Sequence, residues 1–472
     1  MLKHAKAHMP SVWLSIATFT VTIAALAGCG TTAGTNSSSS GGGSSATTGS
    51  TFVIGTDAPR AGVVSFSVVV QSVDAIDSNG NSVSLLSGSP TVDFARYNGL
   101  QTLLDMNQVQ PGTYNSISVT FGAATIGYLQ MQTGAAPTIE TMPATLTTST
   151  VQTTLATPLV VAQTGPVGIH LDFDLWKSIQ VDSSGQITGV VDPTLNIKAV
   201  GPSDPGAYID EFDTAVVSVD TTGQSFVVQG PHGRQWTIDV NGQTEWDNNE
   251  SISDLTTSSI VQVSGTLDRA DSTIDADEVA ILSQDGFYAA GQVTYVQPAS
   301  GVASSFDLYV RGLLPTTTGL SLGQIAQVNL SGNEKFFIYW MRNRFTEFLF
   351  NSSTLLPGQH VAIGGPASGA ANADAVTCKR VVLRGWGFDG TLVPGSVNTG
   401  AGTFQMTVNG FAGLLIPETV TVYTDDGTGF RNGLSGIGDV SSATNIRAVG
   451  LLIKDPTSGD AVLLARYVDV LN

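Results

Sequence analysis

The feature that most limits how this 472-residue chain can fold is a two-residue hydrophobic alternation, broken at short intervals by turn chemistry, with almost no helical periodicity. Runs such as Val63 to Ile76 and Ser116 to Phe121 set apolar side chains on one face and Ser, Thr or Gln on the other. Asp77-Ser78-Asn79-Gly80, Asp182-Ser183-Ser184-Gly185 and Asp220-Thr221-Thr222-Gly223 separate such runs. In each, the Asp side chain can bond the backbone ahead of it and Gly supplies a positive φ, so they read as hairpin turns. The pattern predicts an all-β chain of many short strands. Charged residues make up only 12% of the chain, with Gly, Ser and Thr abundant, which suits an extracytoplasmic β protein better than a cytosolic helical one. A net charge of −19 repels phosphate backbones, so nucleic acid is not an expected partner.

Lys3 and Lys6 precede an apolar run from Trp13 to Ala27, interrupted by Ser15, Thr18, Thr20 and Thr22. It is shorter than the roughly 20 apolar residues of a membrane span and reads as the core of a signal peptide, residues 1–28. It ends in Leu26-Ala27-Gly28-Cys29, which resembles the lipobox of bacterial lipoprotein signal peptides. The resemblance implies lipid on the Cys29 thiol and an extracytoplasmic chain anchored to a membrane through it. Gly30 stands where Asp often retains such proteins at an inner membrane. In a cell with two membranes the resemblance therefore implies the outer one, facing the periplasm or the surface. Residues 29–51, rich in Gly, Ser and Thr, have nothing to bury and read as a flexible tether with a reach of about 25 Å. With Cys29 used by lipid, Cys378 stands alone, and the mature chain forms no internal disulfide. Its strand-like setting, Ala375-Val376-Thr377-Cys378, makes it a small buried hydrophobe.

Residues 52–200 form the first expected domain. It opens with Thr56-Asp57-Ala58-Pro59, carries Pro111-Gly112-Thr113-Tyr114 midway, and closes with Leu171-Asp172-Phe173-Asp174 and a last strand. These signatures, in this order, resemble a domain-of-unknown-function family of bacterial lipoproteins. The number of short strands predicts a β-sandwich of immunoglobulin or transthyretin type. After the polar linker 201–206 the chain repeats itself over 207–284, 287–384 and 385–472. Each unit opens with a short β-run (Val216 to Val219, Gly291 to Thr294, Gly390 to Val393) and then a strand led by Phe226, Phe306 or Phe404. An apolar strand ending in glycine follows (Val261 to Gly265, Val361 to Gly365, Ile446 to Gly450), and each unit closes with a strand after an acidic residue. The pattern resembles a second uncharacterised family, of small barrels similar to oligonucleotide/oligosaccharide-binding (OB) folds.

Three places could carry chemistry. His170, Asp172 and Asp174 alternate along one strand and share a face; they could hold a divalent cation or simply form the polar side of the strand. The acidic run Asp268, Asp271, Asp275, Asp277, Glu278 lacks the spacing of a calcium loop and reads as a charged hairpin. The third is an aromatic segment, Phe336 to Phe350, with seven aromatic residues in a chain that is 7% aromatic. It has no counterpart visible in the first repeat and reads as an insertion. Alternation puts Phe336 and Trp340 on one face and Phe337 and Tyr339 on the other, so both faces must be buried. The segment either packs neighbouring barrels together or docks a glycan, lipid or protein partner, with Phe337, Tyr339, Trp340, Arg342 and Arg344 as the contact residues. No nucleophile elbow, Walker loop, zinc-protease helix or paired metal cysteines occur, and His170, His232 and His360 are far apart in sequence. The expectation is a non-enzymatic envelope or surface protein with no cofactor, binding a glycan or an envelope protein. Its rivals are a structural spacer and a hydrolase with dispersed catalytic residues.

Overall fold

The computed structural model describes residues 48–58, 62–97, 99–130, 138–163, 165–183, 186–230, 234–267, 273–315, 318–339, 345–370, 375–408 and 419–471. From residue 46 onward the chain forms one compact unit. Residues 1–47, on which the signal-peptide, Cys29 and most of the tether expectations fall, lie outside the described residues. Strands dominate the regular structure of the described residues, and none of their helices is long and apolar enough to cross a membrane.

The first module holds strands β1 (Gly49–Ala58), β2 (Val63–Asp77), β3 (Ser82–Ser84), β4 (Thr91–Asp93), β5 (Thr102–Val109), β6 (Gly112–Gln130), β7 (Thr138–Leu146), β8 (Thr150–Val161), β9 (Val167–Asp174), β10 (Ile179–Val181), β11 (Ile187–Val191) and β12 (Leu195–Val200). A four-stranded sheet, β12-β9-β1-β5, packs on a larger one, β10-β11-β7-β6-β2-β3, to which β4 and β8 also pair. This is the expected sandwich. Its core joins Ile169, Leu171 and Phe173 of β9 to Phe66 and Val68 of β2 and Ile117 to Phe121 of β6. Phe173 meets Phe66, Phe94 and Phe121 at ring distances of 5.0, 5.1 and 5.3 Å. The Pro-Gly-Thr-Tyr motif has a mechanical role: the Tyr114 hydroxyl donates to the Gln110 carbonyl at 2.7 Å and fixes the turn into β6. β1 starts at Gly49, inside the stretch read as tether, because Gly49 to Thr51 pair with Val109 to Asn107 of β5.

The four-stranded sheet is covered on both sides. Phe52, Ile54, Leu103 and Met106 point away from the sandwich core into a second core shared with the next module. This explains why β1 is buried without alternation.

Three barrels follow. The first comprises β13 (Ile209–Asp220), β14 (Ser225–Gln229), β15 (Gln235–Asp239), β16 (Glu245–Trp246), β17 (Ile260–Leu267) and β18 (Thr273–Ser283). The second has β19 (Gly286–Gln297), β20 (Ser305–Leu314), β21 (Ile325–Asn329), β22 (Lys335–Ile338), β23 (His360–Pro366), β24 (Val376–Thr377) and β25 (Arg380–Arg384). The third has β26 (Trp386–Leu392), β27 (Thr403–Val408), β28 (Thr419–Tyr423), β29 (Gly429–Arg431), β30 (Asn445–Lys454) and β31 (Ala461–Val470). In the first, the ring runs β13-β14-β15-β18-β17 and returns to β13, with β15 and β18 parallel. The third closes in the same order through β28 and β31. In the second the closing strand is interrupted at Cys378 and Lys379: β24 pairs β21, and β25 pairs β23. With the short β16, β22 and β29 set aside and β24 and β25 counted as one strand, the order within each unit is 1-2-3-5-4, the topology of an OB barrel.

The repeated glycine is also explained in the first and third barrels. Register shifts fall at Ser264/Gly265 and Val449/Gly450, and a Cβ there would lie 2.1 Å from the Asp275 carbonyl oxygen or 1.9 Å from that of Leu464. Only glycine lets the bulged strand approach so closely.

Candidate functional site

The aromatic segment is not wholly an insertion. Its first part is β22, which runs parallel to the fifth strand of its barrel as β16 and β29 do in theirs. The counterparts are shorter and carry Trp246 and Phe430, too brief a pattern to align by eye. Among its described residues the segment acts as packing. Tyr339 is fully buried and its hydroxyl meets Ser264 Oγ of the first barrel at 2.6 Å. The Phe337 ring lies under the Arg380 guanidinium at 4.6 Å, and Arg380 pairs with Glu250 of the first barrel. Phe348 packs on Tyr423 of the third barrel at 5.4 Å. Tyr339 is thus spent in a seam between barrels, whereas Phe337 is only half-buried and lines an open cavity together with Phe336 and Phe345. A cavity of about 400 Å³ remains beside Phe336, Phe345, Phe348 and the exposed Leu349. Trp340, Arg342 and Arg344 lie outside the described residues.

His170, Asp172 and Asp174 share one face of β9, as alternation required, but they do not gather into a ligand set. Among the described residues no group of three or more His, Cys, Asp or Glu could hold a metal ion. The face is also not open: all three residues are half-buried, and the His170 ring abuts Gly206 of the linker. Burial, then Lys198, pushes the His170 imidazole down to about 4. Asp174 caps a short helix, α1 (Leu175–Ser178), accepting from the Lys177 amide at 3.0 Å. Beside Asp172, the carboxyl of Asp57 is fully buried and held well above its ordinary range, by burial first and then by Asp172. Of the acidic run, Asp268 and Asp271 lie outside the described residues, and Glu278 pairs with Arg466 at 2.7 Å.

Arginine marks the seams of this base-poor chain. Arg96, following β4, pairs with Asp213 of β13 and lies 3.7 Å from Glu211. Arg384 of β25 reaches the same two carboxylates at 2.9 and 3.0 Å with its side chain entirely buried. The Tyr288 hydroxyl accepts from Arg384 at 2.6 Å and donates to Asp213. Burial raises the Asp213 carboxyl, but Arg384 and Arg96 together pull it below its usual range. One buried cluster therefore ties the sandwich to the first and second barrels. Arg311 of β20 pairs with Asp93 of β4 at 3.2 Å, and Arg466 and Arg380 tie the third and second barrels to the first.

Between the sandwich and the second barrel these contacts leave a cleft of about 640 Å³. One wall is the outer face of the large sheet, where Ser65, Ser67, Thr91, Thr125 and Thr141 project from β2, β4, β6 and β7. Ser67 is in register with both Thr125 and Asp93, and Gly127 with Ser65 and Thr141, so these residues form a continuous row. The facing wall is β20, with Tyr309, Arg311 and Leu313, followed by the exposed Leu322. Ser65 Oγ and the Tyr309 hydroxyl close the floor at 2.8 Å. This requires glycine at 127, where a Cβ would fall 2.3 Å from Ser65 Oγ and 2.8 Å from the Tyr309 hydroxyl. Arg96 and Arg311 line the cleft, and each keeps one buried guanidinium nitrogen without an acceptor among the described residues. No sequence signal marked this site, because Ser65, Ser67 and Thr125 read as ordinary outward-facing strand residues.

Cys378 is buried, and burial pushes its thiol up to about 12, the behaviour of a core residue.

Two family models match the chain. Residues 48–188 match the domain of unknown function DUF4382, and residues 215–280 match the domain of unknown function DUF5666. The first match covers most of the sandwich and the second most of the first barrel. The comparison with curated proteins finds no match to the chain. Neither family description carries a reaction or a ligand.

Proposed function

We propose that this chain is a lipid-anchored, extracytoplasmic binding protein without catalytic activity, and that its ligand lies in the cleft between the sandwich and the second barrel. The cleft is the observation that carries the reading. At about 640 Å³ it falls in the size range of small-ligand sites, and a row of polar side chains from several strands converges on it. Its walls are rigid elements locked by Ser65–Tyr309 and Asp93–Arg311, so little ordering cost accompanies binding. The lipobox at Cys29 and the Gly/Ser/Thr stretch behind it support the anchoring.

The test is obstruction. Thr125 is exposed on the sheet wall, so Thr125→Trp narrows the cleft without touching the core. The lipidated protein recovered from native membranes after cross-linking is expected to carry a bound envelope component that Thr125→Trp lacks. Equal recovery by both proteins would overturn the reading. One observation favours a second reading, a rigid spacer: the buried arginine clusters weld the modules into one body. A spacer predicts that equal recovery.

A further inference from the structure

We infer that the cleft is shaped for a neutral oligosaccharide, an inference that rests on the cleft being a ligand site. The wall chemistry selects the class. Four hydroxyl side chains, Ser67, Thr91, Thr125 and Thr141, lie along one wall above the Ser65–Tyr309 floor, and each can both donate and accept. A chain of sugar hydroxyls is the ligand that uses both capacities at every step. An acyl chain would leave those hydroxyls desolvated and unsatisfied.

Charge argues against an acidic ligand. The cationic groups of the lining are already matched: Arg311 by Asp93, and Arg96 by Asp213 and Glu211. The chain as a whole carries −19, which repels polyanions before contact. The apolar side is supplied by Leu313 and by Leu322, which is 61% exposed. With the half-buried Tyr97 ring they give the C–H faces of a sugar something to lie on.

The experiment is titration calorimetry on the mature chain made soluble by Cys29→Ser. The probes are cellopentaose and tetra-N-acetylchitotetraose as neutral oligosaccharides and tetragalacturonate as the acidic one. The expected result is one-to-one binding of at least one neutral probe, weakened at least about tenfold by Thr125→Trp and retained by Thr125→Ser. No binding by either neutral probe, or tighter binding of tetragalacturonate than of both, would overturn the assignment. The two levels separate cleanly. If Thr125→Trp abolishes recovery of the envelope component yet no neutral probe binds, the saccharide class is wrong and the cleft stands. If recovery is also unaffected, the cleft itself falls. The melting temperature of Thr125→Trp, expected to equal that of the parent because residue 125 is exposed, shows that any loss is local.

Discussion

Replacing Arg384 by Met removes the cation at the centre of the seam between the sandwich and the first two barrels. The Arg384 side chain is 0% exposed, and its partners Glu211 and Asp213 are 2% and 7% exposed. Two carboxylates would then share the remaining Arg96, which lies 3.7 Å from Glu211. Breaking a buried pair from one side costs about 3–5 kcal/mol, because the stranded charge stays desolvated. That is a large part of a typical folding free energy of about 5–15 kcal/mol. Removing a matching acid should return most of it: Arg384→Met with Glu211→Gln leaves Arg96 and Asp213 as an intact pair. The double-mutant coupling should reach about 1.5–3 kcal/mol. Lys177→Ala is the control, since Lys177 is 66% exposed in its pair with Asp174 and should cost at most about 0.5 kcal/mol. The assay is urea unfolding of the soluble mature chain, followed by the fluorescence of the buried Trp236 and Trp386. A loss below about 1 kcal/mol for Arg384→Met, or a double variant that costs the sum of the singles, would refute the idea that this cluster locks the modules.

Other outcomes follow from the same structure. The folded pKa of His170, about 4, lies below its unfolded value, so its contribution to stability is whole above about pH 6.5 and is lost as pH falls toward 4. His170→Gln should therefore gain on the parent by up to about 3 kcal/mol across that window, read as urea midpoints at successive pH values. Burial raises Asp210 to about 6, the opposite sign for an acid: its ionisation costs stability above that pH and the cost disappears toward pH 4. Asp210→Asn should be more stable than the parent at pH 7 and lose that advantage by pH 4. Gly450→Ala should cost about 1–3 kcal/mol, since the added methyl meets a backbone oxygen that cannot move aside; an unchanged melting temperature would contradict the bulge assignment. Cys378, with its thiol raised to about 12, should resist alkylation at pH 8 until the protein unfolds, as followed by mass spectrometry.

The fold was largely legible because it is written in local alternation. Phe226, Phe306 and Phe404 recur at one position of three repeats, and each is buried in the second strand of its barrel. The segment Phe336 to Phe350 was legible as apolar on both faces, and its described residues meet that demand in part: Tyr339 and Phe348 are buried against Ser264 and Tyr423, while Phe336, Phe337 and Phe345 stay half-buried around a cavity. Its identity as a strand shared by all three barrels was hidden, because β16 and β29 are only two and three residues long. The seams were not legible at all. Arg96 and Arg384 lie 117 and 171 residues from Asp213, and nothing in an isolated arginine says that it will be buried. The cleft was hidden for the same reason: Ser65 meets Tyr309 across 244 residues, and only assembly of the modules turns a solvent-facing strand into a wall. The face of His170, Asp172 and Asp174 looked open from its own strand and is covered by chain that lies later in the sequence.

If the proposed reading is right, ligand occupies the space between the sandwich and the second barrel. A photo-cross-linking residue placed at Thr125, on the cleft wall, and separately at Gln152, exposed on β8 away from it, in the full-length protein in living cells, reports on that space. A ligand in the cleft gives an adduct from position 125 that is absent from position 152. Equal labelling at both positions, or none at 125, would contradict it.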